Sequence, residues 1–366
     1  MQQGYLILSS GEVFKGRLFG STTAMTAGEL VFNTSMSGYP EILTDPSYNG
    51  QIVLFTYPLI GNYGWDGTWS ESGGIKASAA VVKRLYRGPL PPGRMSLDEV
   101  LCQAGVAGIE GVDTRALTLS IRDKGARNAV ICPEDRLDEA SSFLASFPDI
   151  TQRDLIASVA VTERVRDPEL PEGFAKVPAS ARHRIALVDF GIKTSIISCF
   201  YERGVAVDLL PPDFKAEDVL GKGYGMLFLS NGPGDPARLT DQVAQVARCI
   251  TKIPVCGICL GHQLITWALG GRTVKMVYGH HGGNQPVKDL DTGKSFVSAQ
   301  NHNYMSDMDS LPKGVRLWFT NANDGTVEGI YDEERRVRSV QFHPEACPGP
   351  HDGRWIFDAF IKEMER

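Results

Sequence analysis

No stretch of the 366 residues approaches the roughly 18 apolar positions that a membrane-crossing helix needs. The opening residues, MQQGYLILSSGEVF, hold a short apolar run without the basic flank of a secretory leader. A cytoplasmic protein with no membrane partner is therefore expected. Long runs of Lys or Arg are missing as well. With 37 basic against 43 acidic residues the net charge is −6, which argues against a nucleic-acid partner held by bulk charge. Cysteine is sparse and odd in number: seven, at Cys102, Cys132, Cys199, Cys249, Cys256, Cys259 and Cys347. Without a leader, that count predicts reduced thiols and not a disulfide framework. Internal repeats and low-complexity tracts are absent too, which sets aside solenoids and disordered tails.

What is present has two grammars. At about 150 residues per domain the length predicts two domains. Residues 1–150 read as a strand-rich domain: YLILSS, GEVFKGRLFG, LVFNTS and QIVLFTYP are short apolar strands separated by turns, and helices are predicted at 96–104 and 112–124. Asp113 or Thr114 would cap the second of these. Asp45-Pro46-Ser47-Tyr48-Asn49-Gly50 reads as a turn or surface loop. The polar, proline-bearing stretch 151–183 reads as a linker. From 184 to 366 the pattern changes. RIALVD, VAVDLL, GMLFLS and IPVCGI are continuously apolar and alternate with helices predicted at 193–203, near 215–220, near 236–251 and from Leu260. That alternation predicts an α/β domain with an open, mostly parallel sheet covered by helices on both faces. The last part is richer in strands.

The strongest chemical signal is Val255-Cys256-Gly257-Ile258-Cys259-Leu260-Gly261-His262-Gln263. Cys259 falls between a buried strand and the next helix, flanked by Gly257 and Gly261. A sharp turn of this kind exposes a nucleophile above the sheet, as in the elbow of α/β hydrolases, with sulfur for oxygen. The helix N-terminus favours the thiolate, and the Leu260 N–H aims at a developing oxyanion. Gln341-Phe342-His343-Pro344-Glu345 supplies a proton carrier, His343, with Glu345 two residues on to orient it. The order Cys–His–Glu points to acyl transfer.

Other patterns weigh less. Cys256-Gly257-Ile258-Cys259 is formally a redox or zinc motif, but Cys256 lies inside the apolar strand. His280 and His281, adjacent on an extended segment, point to opposite sides and suit structural roles better than metal ligation. Gly232-Pro233-Gly234-Asp235-Pro236-Ala237 fits a dinucleotide fingerprint, yet its prolines remove N–H groups that would meet a pyrophosphate. Gly293-Lys294-Ser295 lacks the earlier glycine of a Walker loop, position 288 being Lys288. No cofactor or metal is expected on this chain.

GICLGHQ (257–263), SNGPGDP (230–236) and FHPEA (342–346) resemble the class I glutamine amidotransferases. FNTSMSGYPEILTDPSYNGQIVLFTYPLIGNYG (32–64), DTRALTLSIRDKGA (113–126), VKMVYGHHGGNQPVKD (274–289) and SAQNHNY (298–304) narrow the resemblance to the glutamine-hydrolysing small chains of carbamoyl-phosphate synthases. The resemblance covers most of the chain. It implies an N-terminal partner-docking domain, a glutaminase domain, and attack by Cys259 on glutamine to give a thioester. His343 and Glu345 would complete the triad. Ammonia would pass through a tunnel to a large subunit in a heterodimer or higher oligomer. There, ATP and Mg would serve synthesis of carbamoyl phosphate for arginine and pyrimidines. The resemblance also implies an oxyanion hole from the N–H groups of Leu260 and Gly232, and glutamine contacts from Gly234, Gln263, Ser47, Asn301, Asn303 and Tyr304. The family commonly has Gly and Phe where this chain has Asn303 and Tyr304. Asn tolerates a left-handed backbone, so a main-chain contact can persist. The stretch YRGPLPPGRMS (86–96) also departs from the family pattern. Two other readings carry less weight: a non-catalytic regulatory or scaffolding subunit, and a glutaminase serving another synthetase.

Overall fold

A computed structural model describes residues 2–366. The chain forms two compact units, Met1–Asp154 and Leu155–Arg366. Among the described residues no helix is long and apolar enough to cross a membrane, and all seven cysteines are free thiols.

The first unit is a closed barrel of seven strands, in the order Gln3–Leu8, Val13–Gly20, Ala107–Glu110, Ala79–Val82, Gln51–Phe55, Thr26–Asn33 and Arg127–Pro133. The pairing is mixed: the first strands are joined antiparallel, whereas Thr26–Asn33, Gln51–Phe55, Ala79–Val82 and Ala107–Glu110 run parallel to one another. Closure removes exposed strand edges. Helix Leu97–Gln103 starts with a capping box of Ser96 and Glu99, and Thr114–Lys124 is capped by Asp113, whose carboxylate accepts from Ala116 N at 3.0 Å. The divergent stretch 86–96 is anchored by Arg87 on Glu110 at 2.9 Å and Arg94 on Asp66 at 3.0 Å. The Asp45–Gly50 segment is a turn but not a surface loop. Pro46–Tyr48 is a buried 3-10 turn, because Asp45 accepts from Ser47 N at 2.8 Å and the Tyr48 hydroxyl accepts from Asn33 at 2.8 Å.

The second unit is built on one ten-stranded sheet. Five strands at its centre are parallel: Val205–Leu210, His183–Val188, Met226–Leu229, Val255–Ile258 and Val337–Val340. Beyond Val337–Val340 it continues antiparallel through Val327–Asp332, Ser295–Ser306, Thr273–Asp289 and Arg316–Asn321. The continuous apolar runs follow from burial on both faces. Ile185, Leu187, Met226 and Phe228 pack with Phe200 of helix Thr194–Glu202 and with Phe357 and Phe360 of helix Ile356–Glu365. Their neighbours in sequence, Ala186, Val188, Leu227 and Leu229, pack on the other face with Val246 of helix Thr240–Cys249 and Leu264 of helix Leu260–Ala268.

Two expectations differ from what is observed. The stretch read as a linker divides at the boundary between units. From Leu155 onward it straps the second unit: Val165–Arg166 pairs antiparallel with Leu209 and Asp208, and Leu170, Ala175 and Val177 pack against the core. The helix near 215–220 is only the 3-10 turn Ala216–Asp218, because Gly221 and Gly223 adopt positive φ just beyond it.

The Phe200 ring lies edge-on to Phe228 at 4.9 Å and Phe357 at 5.2 Å. Phe200→Ala should cost about 3–5 kcal/mol by leaving a cavity. Ser96→Ala, which removes only a cap, should cost about 1 kcal/mol. Denaturant midpoints of the two variants check the ranking.

Candidate active site

Cys259 joins the central strand Val255–Ile258 to helix Leu260–Ala268 at φ 55° and ψ −106°, left-handed for a residue with a side chain. Such strain persists only where the surroundings impose it. Here the Cys259 N–H donates to Val340 O at 2.9 Å, and Gly261 N–H donates to Ser230 O at 3.0 Å. The flanking glycines are required by close approach. A Cβ on Gly261 would lie 2.2 Å from Leu229 O, and one on Gly257 would lie 2.9 Å from the Gly261 carbonyl carbon. With the Gly261 N–H used in packing, the first helical N–H, that of Leu260, has no acceptor within the helix.

Gly232 and Gly234 lie in the loop after Met226–Leu229, the strand paired with Val255–Ile258. Parallel neighbours present their C-terminal ends together, so this loop and the Cys259 turn share one edge of the sheet. A Cβ on Gly232 would meet Phe190 O at 2.3 Å, while Gly234 needs glycine for its φ of 103°. Asp235 caps the following turn by accepting from Ala237 N at 2.9 Å.

His343 follows Val337–Val340, the strand on the other side of Cys259, and its N–H donates to Ala299 O at 2.8 Å. His343 Nδ1 lies 2.6 Å from Glu345 Oε1, and its Nε2 has no hydrogen-bond partner. Lys193, from the loop after the first parallel strand, puts Nζ 3.0 Å from the same Glu345 oxygen and donates to Ala346 O. All three side chains are buried. Burial works to raise the Glu345 carboxyl, but the charges of Lys193 and His343 lower it to about 2. Burial works to lower His343, but the Glu345 charge, helped by the Cys259 thiol, raises it to about 10. Ala346 and Cys347, immediately beyond, are also left-handed, at φ 65° and 53°.

Strand Ser295–Ser306 passes beside the Cys259 turn, with the Cys259 thiol 3.6 Å from Asn301 O. Gln263 is buried and already engaged: its Nε2 donates to Tyr304 O and to Gln341 Oε1, each at 3.0 Å. It fixes this strand to the helix. Asn303 is extended and not left-handed, and its Oδ1 lies 2.9 Å from His281 Nε2. Ser47 lies in the first unit, on the turn Pro46–Tyr48.

Lys193 is the member of this buried cluster that sequence reasoning missed. Its only signal is its place at the end of an apolar run, Phe190-Gly191-Ile192, next to a strand end. His262 is neutral, lowered to about 3 by burial, and lies 2.9 Å from each of the Ser339 and Ser306 hydroxyls. Cys256 is fully buried, which pushes its thiol well up and disfavours redox chemistry. The adjacent histidines do face opposite ways. His280 sits between Asp324 at 2.9 Å and Glu328 at 3.4 Å, with His302 at 3.8 Å from Glu328. His280, His302 and Glu328 have the composition of a metal site. Burial, which opposes protonation of His280, is outweighed by the two carboxylates, so its imidazole is raised above the ordinary value.

The family description "Glutamine amidotransferase class-I" matches residues 186–363, and "Carbamoyl-phosphate synthase small chain, CPSase domain" matches residues 6–131. The chain is 45% identical over 370 residues to a protein of Methanococcus maripaludis named carbamoyl phosphate synthase small chain, covering 98% of this chain and 96% of that one. A protein of the same name from Methanocaldococcus jannaschii is 42% identical, covering 100% and 99%. Among solved structures, a glutamine amidotransferase from Thermotoga maritima is 21% identical, with a TM-score of 0.37, covering 50% of this chain and 84% of that one.

The charges of the His343–Glu345 pair tie it to stability. His343, raised from 6.5 to about 10, contributes fully below pH 6.5 and loses that contribution as pH rises toward 10. Glu345, lowered from 4.5 to about 2, contributes fully above pH 4.5 and loses it as pH falls toward 2. The stability gap between wild type and Glu345→Gln should therefore be widest near pH 4.5–6.5 and narrow toward pH 10. Denaturation midpoints across that range measure it.

Proposed function

The chain belongs to the carbamoyl phosphate synthase small chain family, and we propose that Cys259, His343 and Glu345 are the residues through which it hydrolyses glutamine. It is the glutamine-hydrolysing subunit, and its partner is the large subunit of the synthase. The observation that carries the catalytic assignment is the convergence on one sheet edge of a strained, buried Cys259 and a His343 whose distal nitrogen is left open.

The reaction follows from these groups. The Cys259 sulfur attacks the side-chain amide carbon of glutamine while His343 Nε2 holds the thiol proton. The oxyanion that develops would accept from the N–H groups of Leu260 and Gly232. His343 then returns the proton to the departing nitrogen, releasing ammonia and leaving a glutamyl thioester. Water, deprotonated by His343, adds to the thioester and frees glutamate and the thiol. Glu345 holds the imidazole in one orientation and stabilises its charged form, and Lys193 keeps Glu345 ionised. Gly234, Asn301, Asn303 and Tyr304 would hold glutamine along the adjoining loop and strand, with Gln263 fixing that strand. Ser47 is proposed as a further glutamine contact on the family resemblance. ATP and Mg belong to the large subunit, where ammonia would be used to make carbamoyl phosphate, in a heterodimer or a higher oligomer located in the cytoplasm. A purely scaffolding subunit would have no use for the buried Lys193–Glu345–His343 chain, which supports the catalytic reading.

Cys259→Ser should lower glutamine-dependent synthesis by the complex at least about a thousandfold while ammonia-dependent synthesis continues. Unchanged glutaminase turnover in that variant would overturn the assignment. Asn303→Gly removes the side-chain hydrogen bond to His281 and leaves the strand backbone in place, so the glutamine KM should change by less than about tenfold, under ~1.4 kcal/mol. Steady-state kinetics with varied glutamine measure it.

A further inference from the structure

His281 has no part in the chemistry above, yet it is buried and both of its ring nitrogens are engaged. Nδ1 lies 2.9 Å from Asn301 Oδ1 and Nε2 lies 2.9 Å from Asn303 Oδ1. A neutral imidazole donates once and accepts once, so with the ring neutral one amide turns its Nδ2 toward it. The two asparagines bracket His302 on the strand that passes the nucleophile, and the Asn301 carbonyl is the group that touches the Cys259 thiol.

The backbone around this contact is irregular. His281 pairs with Asn301 and His280 with His302, but the register shifts between Lys275 and His280 and again between Gly282 and Gln285. A short ladder between two bulges fixes its own register weakly, so side chains must supply the rest. Successive residues on a strand face opposite ways, and the two histidines use both faces. His280 ties one to Asp324 and Glu328; His281 ties the other to Asn301 and Asn303. Gly279 leaves room for the second tie. It is left-handed at φ 69°, and a Cβ there would lie 2.6 Å from Asn303 Oδ1 and 2.7 Å from His281 Nε2. A glycine at position 303 cannot form the outer half of the clasp.

We propose that His281 is a positioning residue for glutamine: its ring clasps the side chains of Asn301 and Asn303 and so holds the backbone of 301–304 in register beside Cys259. This rests on the reading that this strand lines the glutamine pocket. The bonds act on where substrate sits and leave the triad alone, so their loss is felt in binding.

The test uses the complex with its large subunit, with ammonia-supported synthesis measured on the same preparations to report an assembled enzyme. His281→Phe keeps a ring and removes both nitrogens. It should raise the glutamine KM at least about fivefold while kcat stays within about threefold. His281→Gln, which retains a donor and an acceptor, should recover most of the affinity. In an Asn303→Gly background the KM penalty of His281→Phe should shrink by at least about half, since half of the clasp is already gone. A KM within about twofold of wild type, a loss confined to kcat, or penalties that simply multiply would each overturn the inference. Cys259→Ser assayed alongside separates the two claims. If it abolishes glutaminase turnover while His281→Phe leaves KM unmoved, only the inference falls; if it leaves turnover intact, the reading beneath it falls.

Discussion

One buried charge organises the second unit. Glu345 is removed from water, and an ionised carboxylate in that position is tolerable only with close partners. Lys193 and His343 meet the same oxygen at 3.0 and 2.6 Å, so the carboxylate is flanked by two proton-bearing groups. Replacing such a cluster with apolar groups is often neutral or stabilising, so stability does not explain it. What the arrangement does achieve is a histidine that holds a proton readily, fixed in orientation, with its other nitrogen open. That is the property a thiol needs beside it, and the chain accepts a desolvation cost to keep it.

The sheet makes the cluster possible. Lys193 follows the strand His183–Val188, Gly232 follows Met226–Leu229, Cys259 follows Val255–Ile258 and His343 follows Val337–Val340. These four strands are parallel neighbours, so groups far apart in sequence leave the same edge. The antiparallel half of the sheet then brings Ser295–Ser306 across that edge, and the bridge between Ala299 and His343 links the two halves. Cys259, Ala346 and Cys347 hold positive φ where they meet.

Much of this was legible in the sequence because it depends on local chemistry. The elbow announces itself through two glycines at positions where a Cβ would strike backbone, and His343 and Glu345 through their place at a strand end. The continuous apolar strands declared a sheet buried on both faces. What escaped depends on distant partners. Lys193 looks like any solvated lysine until Glu345, 152 positions later, is placed against it. Asn303 suggested backbone tolerance, whereas its strand is extended and its side chain works through His281. The segment after Leu155 has no period because it is an irregular strap, held by scattered apolar side chains rather than by an amphipathic face. The seven-stranded closure of the first unit was likewise hidden, since pairing order in a mixed barrel is set by non-local contacts.

As the proposed nucleophile, Cys259 carries the glutamyl group during turnover. Acid-quenching the complex during glutamine hydrolysis, followed by mass analysis of the peptide containing Cys259, tests it directly. The expected result is a glutamyl adduct on Cys259 that disappears when glutamine is exhausted. An adduct on another residue, or turnover with Cys259 unmodified throughout, would contradict it.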